Sequence, residues 1–199
     1  MSNINVFERL FKLWGKISML IMDGKRDPEM VAERLQMIVT EPSLPYRLKS
    51  HDTIKCPAFE RFEAKGKFGR GVVGGVKFRS LGNNFTQMFS SKVEINIHET
   101  ILCSRELLMN SNGLQILRQI EDGKELISLA HLHHLLTLQS EGQEGILLTD
   151  GLPNIFHIVG ADGEFSSMNV YWSVVGWDIK SGSIGDLGYW CAGSRVFSR

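Results

Sequence analysis

From Gly145 onward the chain breaks into short runs of branched and aromatic residues: Ile146-Leu147-Leu148, Ile155 to Val159, Asn169 to Val175, Trp177-Asp178-Ile179 and Ser194 to Phe197. Asp150-Gly151, Asp162-Gly163, Gly176 and Ser181-Gly182 fall between them as turn signals. Strand-length runs separated by tight turns predict an antiparallel meander. Its large residues, Phe156, Tyr171, Trp172, Trp177, Tyr189, Trp190 and Phe197, cannot all stay in water, so at least one face of the sheet needs a second layer. The aromatics therefore read as core, where such side chains dominate buried area, rather than as a ligand-stacking surface. Residues 123–139 are the natural covering layer: Leu126, Ile127, Leu129, Ala130, Leu132, Leu135, Leu136 and Leu138 make a helix apolar nearly all round. Asp122 is its expected N-cap, with Glu125 at the third helical position.

Upstream, Lys92 to Leu102 alternates Val93, Ile95 and Ile97 against Glu94, Asn96 and His98, the pattern of a half-buried strand with its valine and isoleucines inward. Residues 104–120 suggest helical material interrupted at 110–113. At the N-terminus, Val6, Phe7, Leu10, Leu13, Trp14, Ile17, Leu20 and Ile21 recur at spacings of three and four, with Arg9, Lys12 and Lys16 opposite, so residues 4–22 predict an amphipathic helix. Asp27-Pro28-Glu29 starts a second helix, with Asp as cap and Pro where no donor is needed, and Val31, Leu35 and Ile38 stripe it as far as Pro42. Trp14 and Leu35 are expected to meet in a buried seam. The expected architecture is α+β: a helical hairpin over 1–42, a Gly-rich connector over 43–84, and an α+β domain over 85–199 in which an antiparallel sheet packs on the core helix.

The hydrophobic fraction of 43% over 199 residues can supply such a core. Lys and Arg total 22, as do Asp and Glu, so no global field draws the chain to nucleic acid or an anionic membrane. Cys56, Cys103 and Cys191 are widely spaced and lack the C-x-x-C pairing of a zinc knuckle or the even count of a disulfide framework. With no signal-like or membrane-spanning stretch readable, a cytoplasmic protein is expected.

The string G-R-G-V-V-G at 69–74 matches the dinucleotide fingerprint, but a fingerprint needs a strand running into its first glycine and a helix starting near its last. Charged alternation precedes it and Val72-Val73-Gly74-Gly75-Val76 follows, which reads as a glycine-punctuated hairpin. Lys65, Lys67, Phe68, Arg70, Lys77 and Arg79 nevertheless combine positive charge with aromatics, the mixture that binds single-stranded nucleic acid. His131, His133 and His134 form the one histidine cluster. His131 and His134 share a helix face at i, i+3, and His157 or Asp150 are candidates to complete a metal set, although zinc hydrolases place their pair at i, i+4. Burial at the edge of a core helix accounts for the same residues without a metal. No serine or cysteine sits in a nucleophile elbow, and no motif names a cofactor. The expectation is a non-enzymatic binding or interaction module, with a protein partner or second copy met through the hairpin or the aromatic sheet and no membrane contact. The alternatives are a metal-dependent, hydrolase-like enzyme using His131, His134, His157 and Asp150, or single-strand binding through 65–79.

Three segments carry a resemblance: M-D-G-K-R-D-P-E-M-V-A-E-R-L-Q at 22–36, H-H-L-L-T-L-Q-S-E-G-Q-E-G-I-L-L-T-D-G-L-P-N-I-F at 133–156, and Y-W-C-A-G-S-R-V-F-S-R at 189–199. Together they resemble a group of bacterial hypothetical proteins of uncharacterised activity, common in candidate phyla, with a helical N-terminus, a variable middle and a tryptophan-rich β C-terminus. The resemblance implies a bacterial cytosolic setting and transfers no site residue.

Overall fold

Asn154–Val159 (β8), Phe165–Ser173 (β9) and Gly176–Ser183 (β10) form the expected antiparallel meander in the computed structural model, which describes residues 4–32, 47–121, 123–183 and 188–199. The chain divides into two units, Met1–Pro45 and Tyr46–Arg199.

In the first unit, helix α1 spans Ile4–Met22 and ends in a turn where Gly24 takes a φ of 66°. A second helix, α2, begins as expected: Asp27 accepts from Glu29 N at 3.0 Å through Oδ1, and residues 28–32 are helical. Leu35, Ile38 and the remainder of the expected hairpin lie outside the described residues. Trp14 is not in a buried seam; it is 57% exposed, in company with Phe11 and Met19.

In the second unit an eight-stranded sheet runs in the order β1-β6-β12-β8-β9-β10-β4-β3. It comprises β1 (Leu48–Cys56), β3 (Gly71–Val73), β4 (Val76–Leu81), β6 (Thr100–Leu107) and β12 (Arg195–Ser198) beside the meander. The class is α+β, but the sheet is mixed rather than antiparallel, because β12 lies parallel to β8 and β4 lies parallel to β10. Gly176 makes the second contact possible. A Cβ there would sit 2.8 Å from Arg79 N and 2.9 Å from Lys77 O. At the other end of the meander, β12 pairs between β8 and β6.

The expected connector over 43–84 is therefore sheet and helix from residue 48 onward. Val76 and Phe78 are buried while Lys77 and Arg79 point out, a period of two that only a strand produces. Gly74 and Gly75, at φ of 57° and 85°, supply the two-residue turn between β3 and β4. α3 (Asn83–Phe89) then delivers Phe85 and Phe89 to the core. Residues 104–120 likewise depart from the helical expectation. β6 extends to Leu107, β7 (Ser111–Asn112) pairs with β11 (Tyr189–Trp190), and only α4 (Gly113–Leu117) is helical, capped reciprocally by Asn112 and Gln115.

The core helix, α5, is shorter than predicted, Leu129–Leu138. Ser128 is its N-cap, accepting from His131 N at 3.1 Å. Leu126 and Ile127 are withdrawn from the helix by pairing with β8, where Ile127 N donates to His157 O at 3.0 Å. Leu129, Leu132, Leu135 and Leu136 then pack over Phe156, Ile158, Met168, Val170 and Trp177, giving the helix-on-sheet layer. A second buried cluster contains Leu48, Leu107, Ile116, Ile155, Trp190 and Val196. Ile146–Leu148 is a loop instead of a strand, held by the Gln139 amide, which bonds Leu147 N at 2.7 Å and Leu147 O at 3.0 Å.

Candidate functional site

Among the described residues, Val93–Ile97 (β5) pairs only with Phe59–Glu63 (β2), forming a two-stranded ribbon beside α5. Its alternation is the reverse of the expected one. Val93 and Ile95 are 48% and 62% exposed, whereas the Glu94 side chain turns inward and is 11% exposed. The first turn of α5 explains the inversion. A helix begins with backbone N–H groups that have no partner in the helix and with the positive end of its dipole. Glu94 supplies both an acceptor and a negative charge: Oε1 accepts from Leu129 N at 3.0 Å and Oε2 from Ala130 N at 2.9 Å. Lys92 Nζ stands 3.1 Å from Oε1 and balances the carboxylate. A helix start that elsewhere receives a phosphate is here filled by the chain's own side chain.

The ribbon's hydrogen-bond phase is set just beyond its end, where Ala64 N donates to Lys92 O at 2.9 Å. Bonded and non-bonded pairs alternate in an antiparallel ladder, so Phe62↔Glu94 faces inward across the ribbon and Glu63↔Val93, Arg61↔Ile95 and Phe59↔Ile97 do not. The backbone polar groups of Val93, Ile95 and Ile97 consequently point away from β2. No strand of the described residues pairs with that edge. Asn96, at a φ of 53°, twists the strand end, and Ile97 packs against the core unlike Val93 and Ile95.

A groove of about 510 Å³ runs along this open edge. Residues 94–100 form one wall, and Leu126, Ser128, His131 and Arg199 form the other. His131 is 3% exposed, and its Nε2 lies 3.1 Å from the carbonyl oxygen of Pro57, which fixes Nε2 as the protonated nitrogen and leaves Nδ1 as an acceptor with no partner. Burial pushes its pKa below the ordinary value, so the ring is neutral at pH 7. The Arg199 guanidinium donates to the carbonyl of Gly123. Glu99 is paired with Lys55 at 2.9 Å. Both Glu94 oxygens and the Ser128 hydroxyl are engaged in capping α5, so the groove offers hydrogen-bonding edges and one cation rather than a poised nucleophile and base.

The four side chains expected to share a metal do not come together. His131 lines the groove, and His134 meets the Phe59 ring at 6.4 Å. His157 is buried in β8 with Nδ1 3.1 Å from Ser167 Oγ, and desolvation lowers its pKa to about 4. Asp150 lies in a loop, accepts from Leu152 N at 3.0 Å, and borders a separate cleft with Arg79 and Trp172. Among the described residues no three His, Cys, Asp or Glu side chains are placed to hold a metal ion. His133 is turned to the Phe62 and Phe68 rings, at 5.5 and 5.3 Å, and is held at a pKa of about 4.

Of the expected nucleic-acid set, Lys65, Lys67, Arg70 and Lys77 are exposed around the β3–β4 hairpin. Phe68 is not available for stacking on bases, because it packs on Phe78, Phe85 and His133. Arg79 is committed to the fully buried Asp178 carboxylate at 2.8 Å. The glycine string is a hairpin, with no helix after its last glycine. Glu94, Ser128 and Arg199 are the site residues that pattern reasoning passed over. Ser128, directly before an apolar run, carried a readable cap signal. No described helix is long and apolar enough to cross a membrane. No known protein family, curated protein or solved structure matches this chain.

Proposed function

We propose that the chain is a non-enzymatic binding module whose recognition surface is the groove beside β5. The observation that carries this reading is a groove walled on one side by a strand edge that no described strand pairs with. An open edge is a template for association, and proteins ordinarily cover or charge such edges. Glu94 and Ser128 are already occupied in holding α5 and Glu99 is paired with Lys55, which favours recognition over turnover. Selecting a displayed random-peptide library against the whole chain tests the reading. Bound peptides should slow hydrogen exchange at residues 93–100; selected binders that all protect the Arg79 and Asp150 cleft instead would refute it.

A second surface has its own observation. Phe11, Trp14, Met19 and Met22 of α1 are each more than half exposed, the arrangement of an apolar stripe that docks into a partner's groove or onto a second copy. Sedimentation of the whole chain should then show association that Trp14→Glu abolishes, and a monomer at all concentrations in the absence of partner would leave the stripe without a homotypic role.

A further inference from the structure

Given the groove reading, on which this inference rests, we infer that the occupant is a single extended peptide segment, added as a third strand to the open edge of β5, with an acidic side chain directed to Arg199. Three features of the groove select that occupant. First, the ladder phase turns the N–H and C=O groups of Val93, Ile95 and Ile97 to this edge, and backbone groups spaced in that way are met most completely by another strand. Second, the opposite wall is itself a chain segment, Leu126 to Ser128, tied to β8 on its far side. That wall's backbone is already paired, so an incoming strand finds its ladder partner in β5 alone. A second copy offering its own β5 must also bring its own Leu126, Ser128 and Arg199 toward the same space, a crowding that a single peptide segment does not carry. Third, the groove holds one guanidinium whose donors are not all used. Glu94 is paired with Lys92 and Glu99 with Lys55, while Arg199 donates to the carbonyl of Gly123. A carboxylate on the incoming strand meets the remaining guanidinium N–H groups.

The neighbouring side chains define the rest of the ligand. Val93 and Ile95 stand exposed on the ribbon's outer face, so an added strand gains cross-strand contacts by placing branched apolar residues beside them. Residues on its other face look toward the neutral His131 ring and Ser128, which suit short polar side chains. The predicted ligand alternates apolar and polar residues, with an acid among the polar ones.

The probe is an acetylated, amidated five-residue peptide in which threonine and valine alternate and a glutamate takes the central position, titrated into the whole chain and followed by NMR. Saturable shifts are expected at residues 93–100. N-methylation of a single peptide nitrogen in one alternate set should weaken binding about tenfold, the loss of about one hydrogen bond, while methylation of a nitrogen in the other set changes little. Lysine in place of the glutamate should weaken binding about fivefold, and Arg199→Gln should erase that preference, as expected for one charge-assisted contact. Ile95→Pro removes an outward N–H at a position where an edge strand tolerates proline, and should reduce affinity about tenfold with the ribbon retained. Equal binding of the two methylated peptides, or no saturation at millimolar peptide, overturns the inference. If library-selected ligands occupy residues 93–100 yet ignore backbone methylation and charge, strand addition falls while the groove reading stands. If no selected ligand protects those residues, the groove reading itself falls.

Discussion

Glu94 shows how one carboxylate can set which side of a strand faces inward. Val93 and Ile95 would have driven β5 the other way, but turning Glu94 outward would leave the Leu129 and Ala130 N–H groups without their acceptors. Glu94→Gln keeps the shape and removes the charge, and should cost about 1.5–3 kcal/mol, the range for a hydrogen bond to a charged group, measured by urea unfolding. An unchanged midpoint would show that the cap does not hold the helix. His157 gives a pH signature. Its folded pKa is about 4, below the ordinary 6.5, so the unfolded chain takes up the proton first as the pH falls. Stability is complete above about pH 6.5 and declines by up to about 1.4 kcal/mol per unit as the pH falls toward 4. His133 is lowered in the same direction and adds to the decline. His157→Gln should flatten, without abolishing, the dependence of the urea midpoint on pH between 6.5 and 4; a slope identical to that of the parent would assign the effect elsewhere.

At the scale of elements, glycine positions determine which strands can touch. Gly176 has a φ of 149° and admits the β4 backbone where any Cβ would collide with it. Gly176→Ala should destabilise by more than about 2 kcal/mol and lower the melting temperature, because both the backbone conformation and the contact are lost. The meander was readable from sequence because its turns are local: Asp162-Gly163 reverses the chain with Gly163 at a φ of 84°, and the flanking runs pair with what is nearest. The β3–β4 hairpin was readable too, because Gly74-Gly75 marks its turn locally, whereas β1 and β2 were not, since charge-rich segments acquire their buried side only from the strands they join. The start of α5 failed for a related reason. Asp122 to Glu125 had the composition of a cap, but the pairing of Leu126 and Ile127 with His157 competes for the same residues and prevails. The groove was hidden because the alternation around Glu94 pointed the wrong way, and the helix start that reverses it lies 35 residues downstream.

For the molecule as a whole, among residues 11–32 and the described residues from 47 onward every buried hydrophobic residue lies between Leu48 and Phe197. The second unit should accordingly unfold cooperatively without the first. Removing residues 1–45 should leave a single transition whose midpoint in urea stays within about 0.5 kcal/mol of the whole chain, as should Trp14→Ala, the usual range for changes away from a core. A broad or lost transition would mean that the first unit contributes to the core. The position of β12 has a further consequence. It bridges β6 on one side and β8 on the other, so the pair β1-β6 and the block β8-β9-β10-β4-β3 have no direct strand contact within the sheet until Arg195–Ser198 arrives. During synthesis both halves must therefore wait, each with an open flank, for a segment made some 35 residues after β8 is finished. Such long-range closure is slow, and a ribosome stalled before Arg195 would carry two unfinished half-sheets, the species in this chain's life on which a chaperone or a protease would act.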